Sequence, residues 1–147
     1  MTLDEKDIKV LELLKENSKS RTSYMSKRLK IPITTVHNRI KKLEKGGVIK
    51  NYTIIPDYKK IGKEILAYIL INVIYVLPGE EKVSQEKIAG EIKNLGAEEV
   101  SIITGETDII AKIRVKNIEE LNDFITKKVR NIKGVGKTQT LIVLSSF

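Results

Sequence analysis

The apolar residues of this chain change their spacing once, near residue 60. Before that point they recur every three to four residues, as they do along one face of an α-helix. After it comes Glu64–Val76 (EILAYILINVIYV), a run rich in β-branched and aromatic residues that is typical of a β-strand. The 147 residues are enough for one ordinary domain or two small ones, and the change of pattern favours two.

The charge of the chain is divided at the same place. The formal net charge is +8, and residues 1–60 contain 15 Lys and Arg against 7 Asp and Glu, whereas residues 61–147 contain 12 of each class. A cation excess confined to one part is the electrostatic pattern of a nucleic-acid-binding module joined to a neutral partner. A membrane surface would also attract it, but no helix combines a basic face with a broad aromatic or Leu-rich one.

Composition narrows the classes of protein further. The chain has no Cys, so it has no disulfide framework and no thiolate metal site. No apolar run reaches the roughly 18 residues that a membrane span needs, and the N-terminus lacks a signal-peptide core. These features predict a cytoplasmic protein of the soluble globular class, without a membrane partner and without a cofactor.

The first part is predicted to contain three short helices. Leu3–Glu16 has an apolar face centred on Leu3, Val10 and Leu14, and Asp4, Glu5 and Asp7 crowd its first turns, where carboxylates suit the helix dipole. A second helix is predicted over Thr22–Leu29, with Thr22 or Ser23 as its cap. The third follows a tight turn at Lys30-Ile31-Pro32, and the last two helices therefore form a helix-turn-helix.

The third helix carries the residues predicted to contact DNA. Val36, Ile40 and Leu43 form its apolar stripe, and Gly46-Gly47 ends it. The second helix of a helix-turn-helix enters the major groove, where its N-terminal residues meet base edges. The predicted base-edge readers are Thr34, Thr35, His37 and Asn38. The predicted phosphate contacts are Arg39, Lys41, Lys42 and Lys45.

Each of these assignments has an ordinary alternative. A basic helix face is usually only solvated, and a lone His on a helix is usually a solvated side chain rather than a ligand. Because His37 is the only His, a metal site built on it is not expected.

The rest of the chain predicts an α+β domain. A strand is expected over Val48–Ile55 and a hinge over residues 56–63. After the strand Glu64–Val76 and a turn at Pro78-Gly79, the order is a helix, two strands, a helix and a strand. These elements are predicted over Val83–Leu95, Glu98–Thr104, Thr107–Val115, Ile118–Ile132 and Thr138–Leu144, with a turn at Gly134-Val135-Gly136 before the last strand. The βαββαβ order predicts a ferredoxin-like sandwich with one sheet face open to a second subunit.

Several segments together resemble the Lrp/AsnC (feast/famine) family of transcription regulators. LDEKDIKVLELLKEN and TVHNRIKKLEKGGVIKNYT are similar to the family's helix-turn-helix. TGETDIIAKIRV, IKGVGKTQTLIVL and the βαββαβ order are similar to its effector-sensing domain. Two segments depart from the family's usual sequence. The turn reads Lys30-Ile31-Pro32, where the family usually has Gly followed by Leu-Ser. The second helix contains Tyr24-Met25-Ser26, where the family usually has Glu-Leu-Ala.

The resemblance implies a domain organisation and a set of partners. It implies a winged-helix-like DNA-binding domain over residues 1–55 and an effector-sensing, oligomer-forming domain over residues 64–147. The partners it implies are double-stranded DNA, a second subunit bound through the C-terminal domain, octamers of such dimers, and amino-acid effectors.

The family's effector motif is carried over to five residues of this chain. They are Gly105, Thr107, Asp108, Thr138 and Thr140. Asp108 would bind an ammonium group, while backbone N–H groups near Gly105 or the Thr hydroxyls would bind a carboxylate. The alternative is that GETD is a hairpin turn in which Asp108 bonds its own backbone.

Two other classes of function are open at this stage. Subunits of sirohaem decarboxylase resemble the family in both domains. Such an enzyme would need pocket groups, typically His or Arg, in its second domain. Residues 61–147 contain no His, and their only arginines are Arg114 and Arg130. No nucleophile–base pair is apparent, so the sequence predicts a protein that is not an enzyme. The altered turn would also suit a module that pairs with a homologous regulator.

Overall fold

The computed structural model describes residues 2–76 and 82–146 of the chain. The chain divides into two compact units between Ile55 and Pro56. In the described residues, the first unit contains only helices and the second contains all of the strands. No helix within these residues is long and apolar enough to cross a membrane.

The first unit consists of three helices around one apolar core. They are α1 (Glu5–Glu16), α2 (Thr22–Leu29) and α3 (Ile33–Lys45), which confirms the predicted helix-turn-helix order. The core contains the apolar stripes of all three helices and the turn residue Ile31. Its buried members are Val10, Leu13, Leu14, Met25, Ile31, Val36 and Leu43.

The helix ends differ from the sequence predictions in two places. α1 begins at Glu5 because Asp4 and Asp7 form a capping box, in which the N–H of Asp7 donates to Asp4 Oδ1 at 2.8 Å. The prediction that Thr22 or Ser23 caps α2 was wrong, since Arg21 precedes the helix and no side chain caps it. α2 ends at Leu29, and the next residue, Lys30, adopts a left-handed conformation (φ 52°) and begins the tight turn to α3.

The strand predicted over Val48–Ile55 does not form. Every strand pairing in the described residues lies in the second unit, so this segment has no strand to pair with. Val48 and Ile49 pack on the helical core instead, and Tyr52 donates a hydrogen bond to Glu44 at 2.8 Å. An alternating pattern predicts a strand only where a neighbouring strand can accept its backbone hydrogen bonds.

The second unit has the predicted βαββαβ order. Its elements are β1 (Ile65–Val73), α4 (Gln85–Asn94), β2 (Glu99–Ile102), β3 (Ile109–Val115), α5 (Ile118–Asp123) and β4 (Val135–Ile142). The strands form one antiparallel sheet in the order β2-β3-β1-β4. This confirms the predicted α+β class, a helix-turn-helix unit followed by a unit of ferredoxin-like topology.

Several element ends in this unit differ from the predictions. After α5 the chain continues as a π-helical turn (Phe124–Lys128) and a 3₁₀ turn (Val129–Asn131), so the predicted single α-helix is interrupted. β4 begins at Val135, within the predicted turn, because Val135 pairs with β1. The turn predicted at Pro78-Gly79 lies outside the described residues.

The two faces of the sheet have different surroundings. Ala67, Ile69 and Ile71 alternate along β1 on the face that is buried in the main core with residues of α4 and α5. Tyr68 and Leu70 alternate with them and are only partly buried. Their partners on the same face include Ile110 of β3 and Leu141 of β4, and Leu141 is 44% exposed.

Residues 56–63, predicted as a hinge, belong to the second unit. The Arg114 guanidinium lies over the Tyr58 ring, 3.8 Å from its centroid. Such stacking of a cation on an aromatic face stabilises the contact. Whether this segment acts as a hinge stays a prediction.

Candidate nucleic-acid interface and effector site

The orientation of α3 follows from its apolar stripe. Val36 and Leu43 are fully buried and Ile40 packs beside them, so the opposite side of the helix faces solvent. The predicted contact residues that are exposed are Thr34, His37, Asn38, Lys41 and Lys45. Those that are partly buried are Thr35, Arg39 and Lys42.

The exposed side of α3 has the chemistry of a groove-binding surface. Its N-terminal half presents a hydroxyl, an imidazole and an amide, which can bond to base edges. Its C-terminal half presents Lys41 and Lys45, which have no ion-pair partner among the described residues and can bind phosphates.

Arg39 and Lys42 are already paired within the first unit. Arg39 Nη1 lies 2.6 Å from Asp7 Oδ1 and 2.7 Å from Asp4 Oδ1, and Lys42 Nζ lies 2.5 Å from Asp7 Oδ2. Asp7 is fully buried and is the only buried charged residue in residues 2–76 and 82–146. These contacts link α1 to two positions on α3 that are about one helical turn apart.

The ion pairs account for the altered pKa values of the acidic groups. The hydrogen bond from Lys42 lowers the pKa of Asp7 to about 2, supported by the Asp4 backbone and by Arg39, against the opposing effect of burial. The hydrogen bond from Arg39 likewise lowers the pKa of Asp4. Both carboxylates are therefore charged at neutral pH.

In the second unit, the Asp108 carboxylate is occupied by partners of its own chain. It accepts hydrogen bonds from the Val73 N–H at 2.7 Å, from Gln85 Nε2 at 3.2 Å and from the Tyr75 hydroxyl. The hydrogen bond from Tyr75, followed by that from Val73, lowers the pKa of Asp108. Asp108 thus connects the start of β3 to the end of β1 and the start of α4.

The other predicted effector residues lie in two places, the connection between β2 and β3 and the edge strand β4. Gly105 is exposed with φ 124°, a conformation that suits glycine, and Thr107 is partly buried beside it. Thr138 and Thr140 lie on β4, opposite Ile71 and Ile69 of β1. In the sheet, β1 lies between β3 and β4 and therefore separates the strand that follows the first group from the strand that carries the second.

Two clefts in the second unit lie away from these five residues. One, of about 550 Å³, is lined by charged residues that include Lys63, Arg114 and Glu120, and the other, of about 510 Å³, lies beside the start of α4. Neither is lined by a predicted effector residue. No group of three or more His, Cys, Asp or Glu in the described part of the chain is arranged to hold a metal ion.

Comparison with known proteins relates both units to one family. Residues 3–50 match the model of a winged helix-turn-helix DNA-binding domain, and residues 78–147 match that of the Lrp/AsnC ligand-binding domain. The HTH-type transcriptional regulator FL11 of Pyrococcus furiosus is 39% identical over 142 residues, which is 97% of this chain and 89% of FL11. This chain belongs to the Lrp/AsnC family of transcriptional regulators.

Further relatives and solved structures agree with this assignment. An uncharacterized HTH-type transcriptional regulator of Pyrococcus furiosus is 40% identical over 141 residues, or 95% of this chain and 91% of the relative. The structure of Bacillus subtilis LrpC has a TM-score of 0.84 at 26% identity and covers 100% of this chain and 98% of its own. A Neisseria meningitidis regulator in complex with L-Met has a TM-score of 0.88 at 23% identity, covering 98% and 91%, and shows the shared fold.

The sequence prediction for this Lrp/AsnC regulator missed the role of Asp7. It interpreted the acidic residues of α1 as partners of the helix dipole, whereas Asp7 is buried against Arg39 and Lys42. The signal was present in the spacing, because Asp7 falls between Leu3 and Val10 at helical intervals on the apolar face of α1. A carboxylate on a buried stripe requires a cation close by.

Proposed function

We propose that this Lrp/AsnC regulator reads a specific DNA sequence through the exposed side of α3. The observation that carries the proposal is the separation of α3 into a buried apolar stripe and an exposed side with polar residues first and lysines after them. Asn38 can bond adenine in two places, and Thr34 can contact a thymine methyl group. His37 is exposed between them and offers a third polar contact.

The phosphate contacts are assigned to the free lysines. Lys41 and Lys45 are exposed and neutralise phosphates in this proposal, while Arg39 and Lys42 are held by Asp7. Thr35 is partly buried, so we expect it to contribute less to base recognition than the exposed residues.

A salt series on duplex DNA tests the interface. The affinity for DNA from upstream of the protein's own gene is compared with that for random DNA between 50 and 200 mM salt. We expect tighter binding to the upstream DNA and a steep fall of affinity with salt. Asn38→Ala is expected to reduce the preference between the two DNAs by about 1–3 kcal/mol, whereas Lys45→Ala weakens both alike. Equal, salt-independent binding to both DNAs would contradict the interface.

We also propose that two subunits pair through the open face of the sheet in the C-terminal unit. The support is the apolar character of that face, where Tyr68, Leu70 and Ile110 are partly buried and Leu141 is exposed. Burying these side chains in a second copy removes apolar surface from water. The dimers in turn assemble to octamers in this proposal.

Sedimentation analysis tests this pairing. The parent is expected to sediment as a dimer or a multiple of dimers, and Leu141→Glu is expected to shift the population towards monomer. Ile55→Glu is the matched control, because Ile55 is 94% exposed in the other unit. A monomeric parent, or an unchanged Leu141→Glu variant, would count against the open face as the interface.

The proposed effector is an amino acid. The support is the match of residues 78–147 to the Lrp/AsnC ligand-binding domain, together with the L-Met complex of the Neisseria regulator. Gly105, Thr107, Asp108, Thr138 and Thr140 are the proposed contacts. Within one chain, β1 lies between β3, which Gly105, Thr107 and Asp108 precede, and β4, which carries Thr138 and Thr140. The proposed function includes no catalytic step.

Titration with a pool of amino acids tests the effector site. Binding is followed by the change in DNA affinity for the parent and for Asp108→Ala, with Asp57→Ala as a control. Asp57 is an exposed Asp in an exposed ion pair with Lys60. We expect the parent and the control to respond and Asp108→Ala to lose its response. Identical responses of all three proteins would eliminate Asp108 as an effector contact.

A further inference from the structure

The cations of α3 fall into two groups with different environments. Lys41 and Lys45 are exposed and have no ion-pair partner in residues 2–76 and 82–146. Arg39 and Lys42 converge on Asp7, and the side chain of Arg39 is only 19% exposed. A cation that is already bonded to a buried carboxylate is less able to bind a phosphate.

The contacts of Asp7 restrict the rotation of α3 about its own axis. Arg39 and Lys42 are three residues apart on α3, and their side chains bind different oxygens of the Asp7 carboxylate. Asp4, the N-cap residue of α1, also accepts hydrogen bonds from Arg39. Side-chain tips lie about 6 Å from a helix axis, so a 20° rotation of α3 would move a base-reading group by about 2 Å. That displacement is larger than a hydrogen bond to a base tolerates.

We propose that Asp7 is a positioning residue for DNA recognition. It holds Arg39 and Lys42 so that these two cations orient α3, and it leaves the binding of phosphates to Lys41 and Lys45. This inference rests on the DNA interface proposed above and adds a division of labour among the cations of α3.

The salt dependence of DNA binding distinguishes the two groups of cations. Lys41→Ala and Lys45→Ala are each expected to reduce the slope of log K against log salt by about 0.9, the value for one phosphate contact. Arg39→Gln is expected to weaken binding to the upstream DNA without changing that slope. An equal loss of slope in Arg39→Gln and Lys45→Ala would overturn the assignment.

Asp7→Asn tests the positioning role directly. The substitution releases Lys42, removes one of the two partners of Arg39 and loosens α3, so we expect the preference for upstream over random DNA to fall at least tenfold. We expect the affinity for random DNA to be kept or increased, because the released Lys42 reaches a phosphate. A merely structural loss would lower both affinities and the salt slope together, and this result, or an unchanged preference, would overturn the proposal.

Two further measurements keep the test decisive. Circular dichroism at 222 nm establishes whether Asp7→Asn is folded. If it is not, Asp4→Asn replaces it, since Asp4 is half exposed and its loss removes one partner of Arg39 while the buried pair remains. The preference of Asp4→Asn is then expected to fall by a smaller factor, and no fall would overturn the proposal. If the parent binds no duplex in a salt-dependent way, the interface on α3 itself is wrong, which is a separate outcome.

Discussion

Replacing the buried carboxylate of Asp7 by an amide is expected to destabilise the first unit substantially. The pKa of Asp7 falls from an ordinary value of 3.8 to about 2, which corresponds to roughly 2 kcal/mol of stability at neutral pH. Removing one member of a buried ion pair costs about 3–5 kcal/mol in other proteins, and Asn retains one acceptor oxygen. We therefore expect Asp7→Asn to lose roughly 2–4 kcal/mol.

This loss is large for a unit of this size. At roughly 0.05–0.15 kcal/mol per residue, the first unit has a stability of about 3–8 kcal/mol. Hydrogen exchange at pH 7, followed peptide by peptide in the full chain, is the suitable measurement because the two units need not unfold together. Faster exchange is expected across α1 and α3 and not in the sheet. Glu5→Gln is the control on the same helix, since its pair with Lys9 is exposed, and it is expected to change little.

The stability that the Asp7 carboxylate contributes depends on pH in a defined way. A carboxylate whose pKa is lowered by folding contributes stability above its unfolded pKa, and the contribution is lost as the pH falls through the folded value. In urea unfolding, the difference between parent and Asp7→Asn is expected to be similar at pH 7 and pH 5. It should narrow between pH 4 and pH 2. A difference that is absent at pH 7, or that does not narrow, would refute the argument from the ion pairs.

Two glycines and one tyrosine of the second unit provide further predictions. Gly134 has φ 89°, and an added Cβ would lie 3.2 Å from Ile88 Cδ1 and closer still to Val83, so Gly134→Ala should cost roughly 2–4 kcal/mol in urea unfolding. Gly90→Ala, in an open position within α4, should instead stabilise by roughly 0.5–1 kcal/mol; equal effects would contradict the role of φ. Tyr75→Phe removes the main hydrogen bond that lowers the pKa of the β3 carboxylate, so carbon-detected NMR titration should show the pKa of Asp108 rising. An unchanged pKa of Asp108 would show that the Val73 N–H and Gln85 Nε2 are enough to keep it low.

The sequence predicted those features that depend on local spacing. The stripes of apolar residues at helical intervals gave the three helices of the first unit, and the β-branched run gave β1. The order of elements then limited the second unit to a small set of topologies, of which the observed one was predicted. The helical period also predicted an outward orientation for five residues of α3, of which Thr34, Asn38, Lys41 and Lys45 are exposed, whereas Lys42 is partly buried and paired with Asp7.

Features that depend on which segments meet in space could not be predicted in this way. The segment 48–55 has an alternating pattern, but it forms no strand because the first unit offers it no partner strand. The sequence left open whether Asp108 contacts a ligand or bonds its own backbone, and it did not indicate that the carboxylate would accept hydrogen bonds from Tyr75 and Gln85, which follow β1 and begin α4. Hydrogen-bond partners distant in sequence are set by the sheet register, which the local pattern does not specify.

The amino-acid sequence by itself thus determined the order of the helices and strands, the charge asymmetry of the chain and the side of α3 that faces outward. Each of these properties follows from residue type and periodicity within one segment. Only the tertiary structure decided which cations of that helix are free. Asp7 and Arg39 are 32 residues apart, and their pairing results from the packing of α1 on α3. A charge buried by that packing is stable only with its partners, so the fold and not the sequence pattern determines which cations of α3 remain unpaired.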